Sequence, residues 1–157
     1  MRILRWLGLA LGALVIAVAL LMGVARFLDG PLGPFPGGTL RGELSAEDPG
    51  DWSFAQAEDT LALEVGARSV TVWFTAPGGV LYVAAAEAAR KSWPAEAVGD
   101  GRVRIRVAGR LYERQAVRIE DPTLGRTIGE SFRAKYDVDL DEEAASRAWL
   151  FRLDPRS

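Results

Sequence analysis

The chain has 157 residues, 19 basic and 21 acidic side chains, a formal net charge of −2, and neither cysteine nor histidine. Those two absences exclude a Cys nucleophile, a Ser-His-Asp triad, disulfides, a zinc site of the Cys/His kind and a His-ligated haem. The length fits one domain of ordinary size, and the slightly acidic balance argues against a nucleic-acid partner.

The first element is apolar. From Trp6 to Ala25 no residue is charged, and Leu, Ala and Val dominate. As a helix rising 1.5 Å per residue, this run spans roughly one hydrocarbon core of about 30 Å. Residues 1–29 therefore read as an N-terminal membrane anchor whose partner is the lipid bilayer, through residues 6–25. Arg2, Arg5 and the terminal amine precede the run; Arg26 follows it and is offset by Asp29. The positive excess keeps the N-terminus cytoplasmic and sends the rest outward from the inner membrane, into a periplasm. The competing reading is a cleaved signal peptide and a secreted domain, with Ala17-Val18-Ala19 or Gly23-Val24-Ala25 at the cleavage site. Because the apolar run continues past the first of these, a retained anchor is the preferred reading.

Residues 30–38, Gly-Pro-Leu-Gly-Pro-Phe-Pro-Gly-Gly, read as a linker, since proline fixes φ and glycine frees it. Residues 39–157 then form one domain of mostly β pattern. Thr39–Leu44 and Leu61–Val65 are short candidate strands. Val70, Val72 and Phe74 alternate with Thr71, Trp73 and Thr75, and the turn Pro77-Gly78-Gly79 returns the chain as Val80–Ala85. A helical stretch, Ala86–Val98, is interrupted at Pro94. Arg102–Val107 alternates strictly, and Leu111–Ile119 continues after Gly109. Asp121-Pro122 is a helix start, an acid at the N-cap followed by proline; Leu124, Ile128, Phe132 and Tyr136 then recur every four residues. A second acidic helix start lies at Asp139–Glu143, and Ala148–Leu153 is the last strand. Six to seven antiparallel strands with two or three short helices predict a mainly β, α+β domain, a small barrel or sheet.

Two cationic features stand out. In the hairpin Arg102–Arg118, a three-residue loop Val107-Ala108-Gly109 puts Arg106 opposite Arg110, Arg104 opposite Tyr112 and Arg102 opposite Arg114. A two-residue turn, Ala108-Gly109, shifts the pairing by one and sets Arg104 opposite Glu113. The first register keeps the apolar side chains together and is preferred. It implies a face carrying Arg102, Arg104, Arg106, Arg110 and Arg114, a candidate anion platform for phosphate, a cofactor tail or lipid head groups. The simpler reading is a solvated exterior. The second feature, Arg90-Lys91-Ser92-Trp93, combines two cations, a hydroxyl and a large ring, a set suited to a phosphate and a ring system. Its simpler reading is a helix start with a core Trp.

The order of these elements resembles the flavin-reductase-like split β-barrels, which include pyridoxamine 5′-phosphate oxidase-like proteins and the deazaflavin-dependent nitroreductase-like group. Val80-Leu81-Tyr82-Val83 looks like the family's central strand. Arg90-Lys91-Ser92-Trp93 is similar to the basic and aromatic segment that follows it. Gly101–Val107, Gly109–Ile119 and Asp121–Tyr136 are similar to the next two barrel strands and the helix after them. Where the family often has Asn-Pro, this chain has Asp100-Gly101. The resemblance implies a split barrel and a homodimer with cofactor sites at its interface. It also implies a flavin such as FMN, or a deazaflavin, its phosphate held at Arg90, Lys91 and Ser92 with Trp93 lining the site. Hydride transfer to a small-molecule substrate would follow, and the absence of His and Cys is no obstacle when the cofactor carries the chemistry. The alternative is a non-enzymatic, membrane-anchored binding or envelope module of the same fold.

No residue group reads as a metal site. Asp137, Asp139, Asp141, Glu142 and Glu143 lack the glycine and spacing of a calcium loop and suit a helix start better. Glu58, Asp59 and Glu64 read as carboxylates solvating a strand edge. Among the aromatic residues, Trp149 and Phe151 are assigned to the core, and Trp93 stays open for a ligand.

Overall fold

The computed structural model describes residues 2–25, 27–139 and 142–156. Helix α1 (Arg2–Ala25) takes up the apolar run over 24 residues, a length of roughly 36 Å. Its described large side chains stand clear of the rest of the chain: Leu11, Leu14, Ile16 and Leu20 are each at least 60% exposed. Taken over the described residues alone, no helix is long and apolar enough to cross a membrane. The α1 side chains at 2–5, 9–10, 21–22 and 25 lie outside that set, as does Arg26, so the flanking charges behind the predicted topology are not among the described residues.

Seven strands follow: β1 (Leu61–Val65), β2 (Arg68–Val72), β3 (Phe74–Thr75), β4 (Tyr82–Ala85), β5 (Arg102–Val107), β6 (Arg110–Arg118) and β7 (Trp149–Pro155). All pair antiparallel in one sheet of order β2-β1-β5-β6-β7-β4-β3. The two outermost strands are consecutive in the chain, separated only by Trp73. One stretch of backbone thus begins against β1 and ends against β4, which curls the sheet into a nearly closed barrel. Across the remaining seam the Ala84 N–H donates to the Trp73 carbonyl at 3.2 Å. The mainly β, α+β class expected from the alternating patterns is the one observed.

Period-two alternation decides what fills the barrel. Leu63, Val83, Ile105 and Phe151 point inward and are at most 1% exposed. Each such side chain contributes about 1.5–3 kcal/mol on leaving water. The other face of β4 and β7 is covered by helix α3 (Pro122–Tyr136), whose Ile128 and Phe132 pack on Tyr82, Ala84 and Leu150. Asp121 caps this helix by accepting the Thr123 N–H at 2.8 Å, with Pro122 at the first position, as the sequence predicts. Helix α2 (Ser92–Asp100) and helix α4 (Glu142–Arg147) complete the domain. The acidic helix start expected at Asp139–Glu143 falls partly on residues 140–141, outside the described residues.

Three expectations are corrected. Thr39–Leu44 is not a strand. Its amides go to carboxylates instead of a ladder: Leu40 N–H to Glu64 and Arg41 N–H to Asp29. Only Leu44 makes a single bridge, parallel to Leu111. Pro94 does not interrupt α2, because it lies in the first turn, where the amide has no helical acceptor to lose. The β5–β6 hairpin takes the two-residue turn. Arg104 faces Glu113 and Ile105 faces Tyr112; Ala108 (φ 49°) and Gly109 (φ 73°) supply the two positive φ values that such a turn needs. The apolar argument misjudged this register because it assumed that Arg114 must stay in water. In the structure Arg114 points into the barrel opposite Val103 and is 2% exposed.

Residues 30–38 double back as a small hairpin. Leu32 and Phe35 exchange backbone hydrogen bonds of 3.1 and 3.0 Å, and Gly37 exchanges two with Ser69 on β2. Glycine is required at Gly37, since a Cβ there would stand 1.8 Å from the Gly30 carbonyl oxygen.

Candidate functional site

The structure does not bring the five hairpin arginines together. Arg102, Arg104 and Arg106 line the outer face of β5, Arg110 sits at the turn, and Arg114 is inside. Among the described residues, each of these cations but Arg110 has an acid. Arg102 reaches Asp100 at 2.6 Å, Arg104 binds both oxygens of Glu64 at 2.6 and 2.8 Å, Arg106 reaches Asp29 at 2.6 Å, and Arg114 pairs with Asp48. These contacts hold the Asp29, Asp48 and Asp100 carboxyls below the usual range. For Asp29 the leading cause is the Arg41 amide, for Asp48 the Arg114 guanidinium, and for Asp100 the Arg102 guanidinium. Glu64, expected at a solvated edge, is 6% exposed beneath the segment around Leu40. A shallow polar groove of about 190 Å³ remains on this face, between Glu64, Asp100, Arg102, Arg104, Glu113 and Arg156.

The second cationic feature does converge on a cavity. A pocket of about 510 Å³ opens at the barrel seam, where β2 leaves β4. One wall is β2 itself, Val70 to Val72, continuing to Trp73; Ala84, whose N–H donates to the Trp73 carbonyl, and Ala86 also line the pocket. The start of α2 contributes Lys91, Ser92 and Trp93, and the hairpin of residues 30–38 contributes Pro34 and Pro36. Three of the four residues in the predicted cofactor segment thus line one cavity. Arg90 does not: its side chain is 82% exposed and leans toward Glu87 at 3.7 Å.

Local chemistry fixes the polar groups. Lys91 holds the N-cap position of α2 in an extended conformation, so its side chain leaves the helix at the pocket. Among the described residues no carboxylate pairs with it. The Ser92 hydroxyl oxygen accepts from the Arg68 guanidinium at 3.0 Å, and Arg68 is itself tied to Glu96 at 2.9 Å. That orientation leaves the Ser92 O–H proton free to donate toward a ligand oxygen. Trp93 is 7% exposed and packs on Phe151, ring centroids 5.5 Å apart, so it serves core and pocket together.

Trp73, a ring the sequence analysis left closed to a ligand by keeping only Trp93 open, lines the same pocket and is 45% exposed. Its ring stacks on Tyr136 at 4.5 Å and 8°. The Tyr136 hydroxyl accepts the Phe74 N–H at 3.0 Å and lies 2.8 Å from the carbonyl oxygens of Phe74 and Asp59. Burial pushes the Tyr136 phenol up, and burial lowers the neighbouring Lys135 ammonium, which sits 3.5 Å over the Phe74 ring. The available signal was position: Trp73 falls on the polar phase of the alternation with Thr71 and Thr75, where a large ring is out of place unless something covers it. Pro34 and Pro36 carried no such signal.

The lining suits a planar aromatic group with an anionic tail. It offers two indole rings, the hydroxyls of Thr71 and Ser92 and one cation, and its volume lies within the range of small-molecule sites. Among the described residues no group of acids could hold a metal ion.

Comparison with known proteins bears on the fold and the family. A crystal structure of the conserved hypothetical protein Rv2991 from Mycobacterium tuberculosis is similar, with a TM-score of 0.55 over 74% of this chain and 85% of that chain, at 16% identity. At that identity the likeness concerns the fold alone. No curated protein matches the sequence. Residues 56–148, which carry β1 through α4 and most of the seam pocket, match the family described as "Uncharacterized protein conserved in bacteria (DUF2255)", and the chain belongs to that family.

Proposed function

We propose that this protein is a membrane-anchored barrel that binds a flavin or deazaflavin in the seam pocket and serves as an oxidoreductase. The observation that carries the reading is the convergence of Lys91, Ser92 and Trp93 on one cavity with Trp73. Lys91 neutralises the phosphate, Ser92 donates its hydroxyl proton to a phosphate oxygen, and the two Trp rings flank the isoalloxazine-type system. Arg90, at the exposed rim, adds positive potential without a direct contact. A bound flavin or deazaflavin supplies hydride transfer, and the protein supplies position and electrostatics. In the homodimer implied by the resemblance, the second copy covers the open side of the pocket.

The anchor is α1. Its 24-residue helix, the uncharged run from Trp6 to Ala25 and the exposure of its described side chains support that role. The arginines before it in the sequence support a cytoplasmic N-terminus and a barrel outside the inner membrane.

The test is direct. Full-length protein purified in detergent is checked by absorbance and mass spectrometry for a bound cofactor, then titrated with FMN and with a deazaflavin. Binding that weakens at least about tenfold in K91A, equivalent to some 1.4 kcal/mol, supports the reading; a wild type that binds neither refutes it. The pocket lining contains no carboxylate among the described residues. If neither cofactor binds, the non-enzymatic binding module is the reading that remains.

A further inference from the structure

The chain is fastened to the barrel as soon as it leaves α1. The Leu28 carbonyl accepts the Gly38 N–H at 3.2 Å, and Asp29 accepts both the Arg41 N–H at 2.7 Å and the Arg106 guanidinium at 2.6 Å. Asp29 is four residues past the end of the helix, so at roughly 3.5 Å per residue the attachment point lies within about 14 Å of it. No long spacer lets the barrel swing away. From this attachment the hairpin of residues 30–38 projects, and it carries two large apolar side chains at its tip, Leu32 and Phe35, 51% and 50% exposed. Phe27, between α1 and the attachment, is 78% exposed. The same hairpin supplies Pro34 and Pro36 to the pocket wall.

We infer that Phe27, Leu32 and Phe35 dock into the headgroup–acyl boundary of the bilayer that holds α1, and so fix the seam pocket at the membrane surface. The lipid bilayer is the occupant because the hairpin starts at an attachment only a few residues past the anchor, with exposed Phe27 in that short connection. Exposed apolar side chains at that depth find an apolar medium without a protein partner. The inference rests on the reading of α1 as an anchor, and it adds that tether and pocket wall form one piece.

The chain has no cysteine, so single-cysteine variants L14C, L32C, F35C and V98C can each carry one bimane label. Val98, exposed near the end of α2 away from the pocket, is the reference. The full-length chains are reconstituted in nanodiscs of phosphatidylcholine and phosphatidylglycerol, with acyl chains brominated as quenchers. Near-UV circular dichroism matching wild type identifies the folded variants, and L32C carries the test if F35C does not fold. The expected result is quenching at positions 14, 32 and 35 at least about twofold stronger than at 98. If L14C is not quenched, the anchor reading fails and this proposal with it. If L14C is quenched while L32C and F35C match V98C, only the docking proposal fails. Shielding of positions 32 and 35 that grows with protein density, without bromine quenching, would mean that a second copy covers the patch and would also overturn it.

Discussion

Replacing Asp48 by Asn should unsettle the barrel far more than its surface position suggests. Arg114 is 2% exposed on the inner face of β6, with its guanidinium 4.6 Å from the Trp52 ring centroid and 5.7 Å from that of Tyr112. Its Nη1 donates to Asp48, and its Nε is buried without a partner among the described residues. D48N removes the compensating charge and leaves the cation in place. Breaking a buried pair from one side costs about 3–5 kcal/mol. Asp48 keeps 39% side-chain exposure, so water screens part of the loss, and about 2–3 kcal/mol is expected. For a domain of this size that lowers Tm by roughly 6–9 °C. Thermal and urea unfolding of the detergent-solubilised chain, followed by tryptophan fluorescence, would read it, with Trp52 beside the lesion as a local reporter. D48N/R114M should recover most of the stability, because the buried charge is then gone as well. The pH dependence has a definite sign. Arg114 holds the Asp48 carboxyl below its ordinary value, so the contribution is present above the unfolded-state value near pH 4 and fades as pH falls through the folded one. Wild type should therefore approach D48N in acid. A D48N protein within about 0.5 kcal/mol of wild type at pH 7, the ordinary range for surface substitutions, would refute the assignment of Arg114 as a buried, Asp48-dependent cation.

Three further outcomes test the same reasoning elsewhere. A108N should stabilise by about 0.5–1 kcal/mol in urea unfolding, because Ala108 holds φ 49° in the two-residue turn and Asn tolerates that region better; a loss of that size would restore the three-residue loop. E64Q should cost about 2 kcal/mol and speed amide exchange at Leu40, whose N–H Glu64 accepts alongside Arg104. Unchanged exchange there would show that the segment around Leu40 is held by something else. Y136F should cost about 1–2 kcal/mol by leaving the Phe74 N–H without its acceptor. Burial raises the Tyr136 phenol, so its contribution is complete below the unfolded value near pH 10 and is lost as pH rises through the folded one. Wild type, and not Y136F, should show this alkaline loss in pH-dependent melting.

Local pattern made part of the fold legible. Leu61–Val65 and the alternation in Arg102–Val107 are observed as read, as is the Asp121-Pro122 helix start, because each is written in adjacent residues. The Pro77-Gly78-Gly79 turn does join two paired strands. What could not be read depends on distant partners. The amides of Leu40 and Arg41 choose carboxylates at Glu64 and Asp29, so a strand-like segment becomes a strap. Trp73 interrupts its strand because the chain must pass from β1 to β4 there, a demand of closure that no local window contains. In the candidate site, Lys91, Ser92 and Trp93 were visible as a cluster, while Pro34 and Pro36 reach the pocket from across the fold.

The fate of the hairpin arginines explains why the proposed anion site lies at the seam and not on β5. Alternating Arg102, Arg104 and Arg106 look like a surface for an external anion, yet each meets a carboxylate of the chain's own, as does Arg114. The acids come from different places: Asp29 and Asp48 from the segment before the barrel, Glu64 from β1, Asp100 from the end of α2. Two of the four pairs therefore staple the N-terminal strap onto the sheet, and a third, through Glu64, holds it at Leu40. In these positions charge serves closure, and an incoming phosphate would have to displace a carboxylate partner already in place to compete. At the seam, by contrast, Lys91 meets no carboxylate among the described residues and faces a cavity walled by two indoles. Cation density alone points to β5; cation availability points to the start of α2.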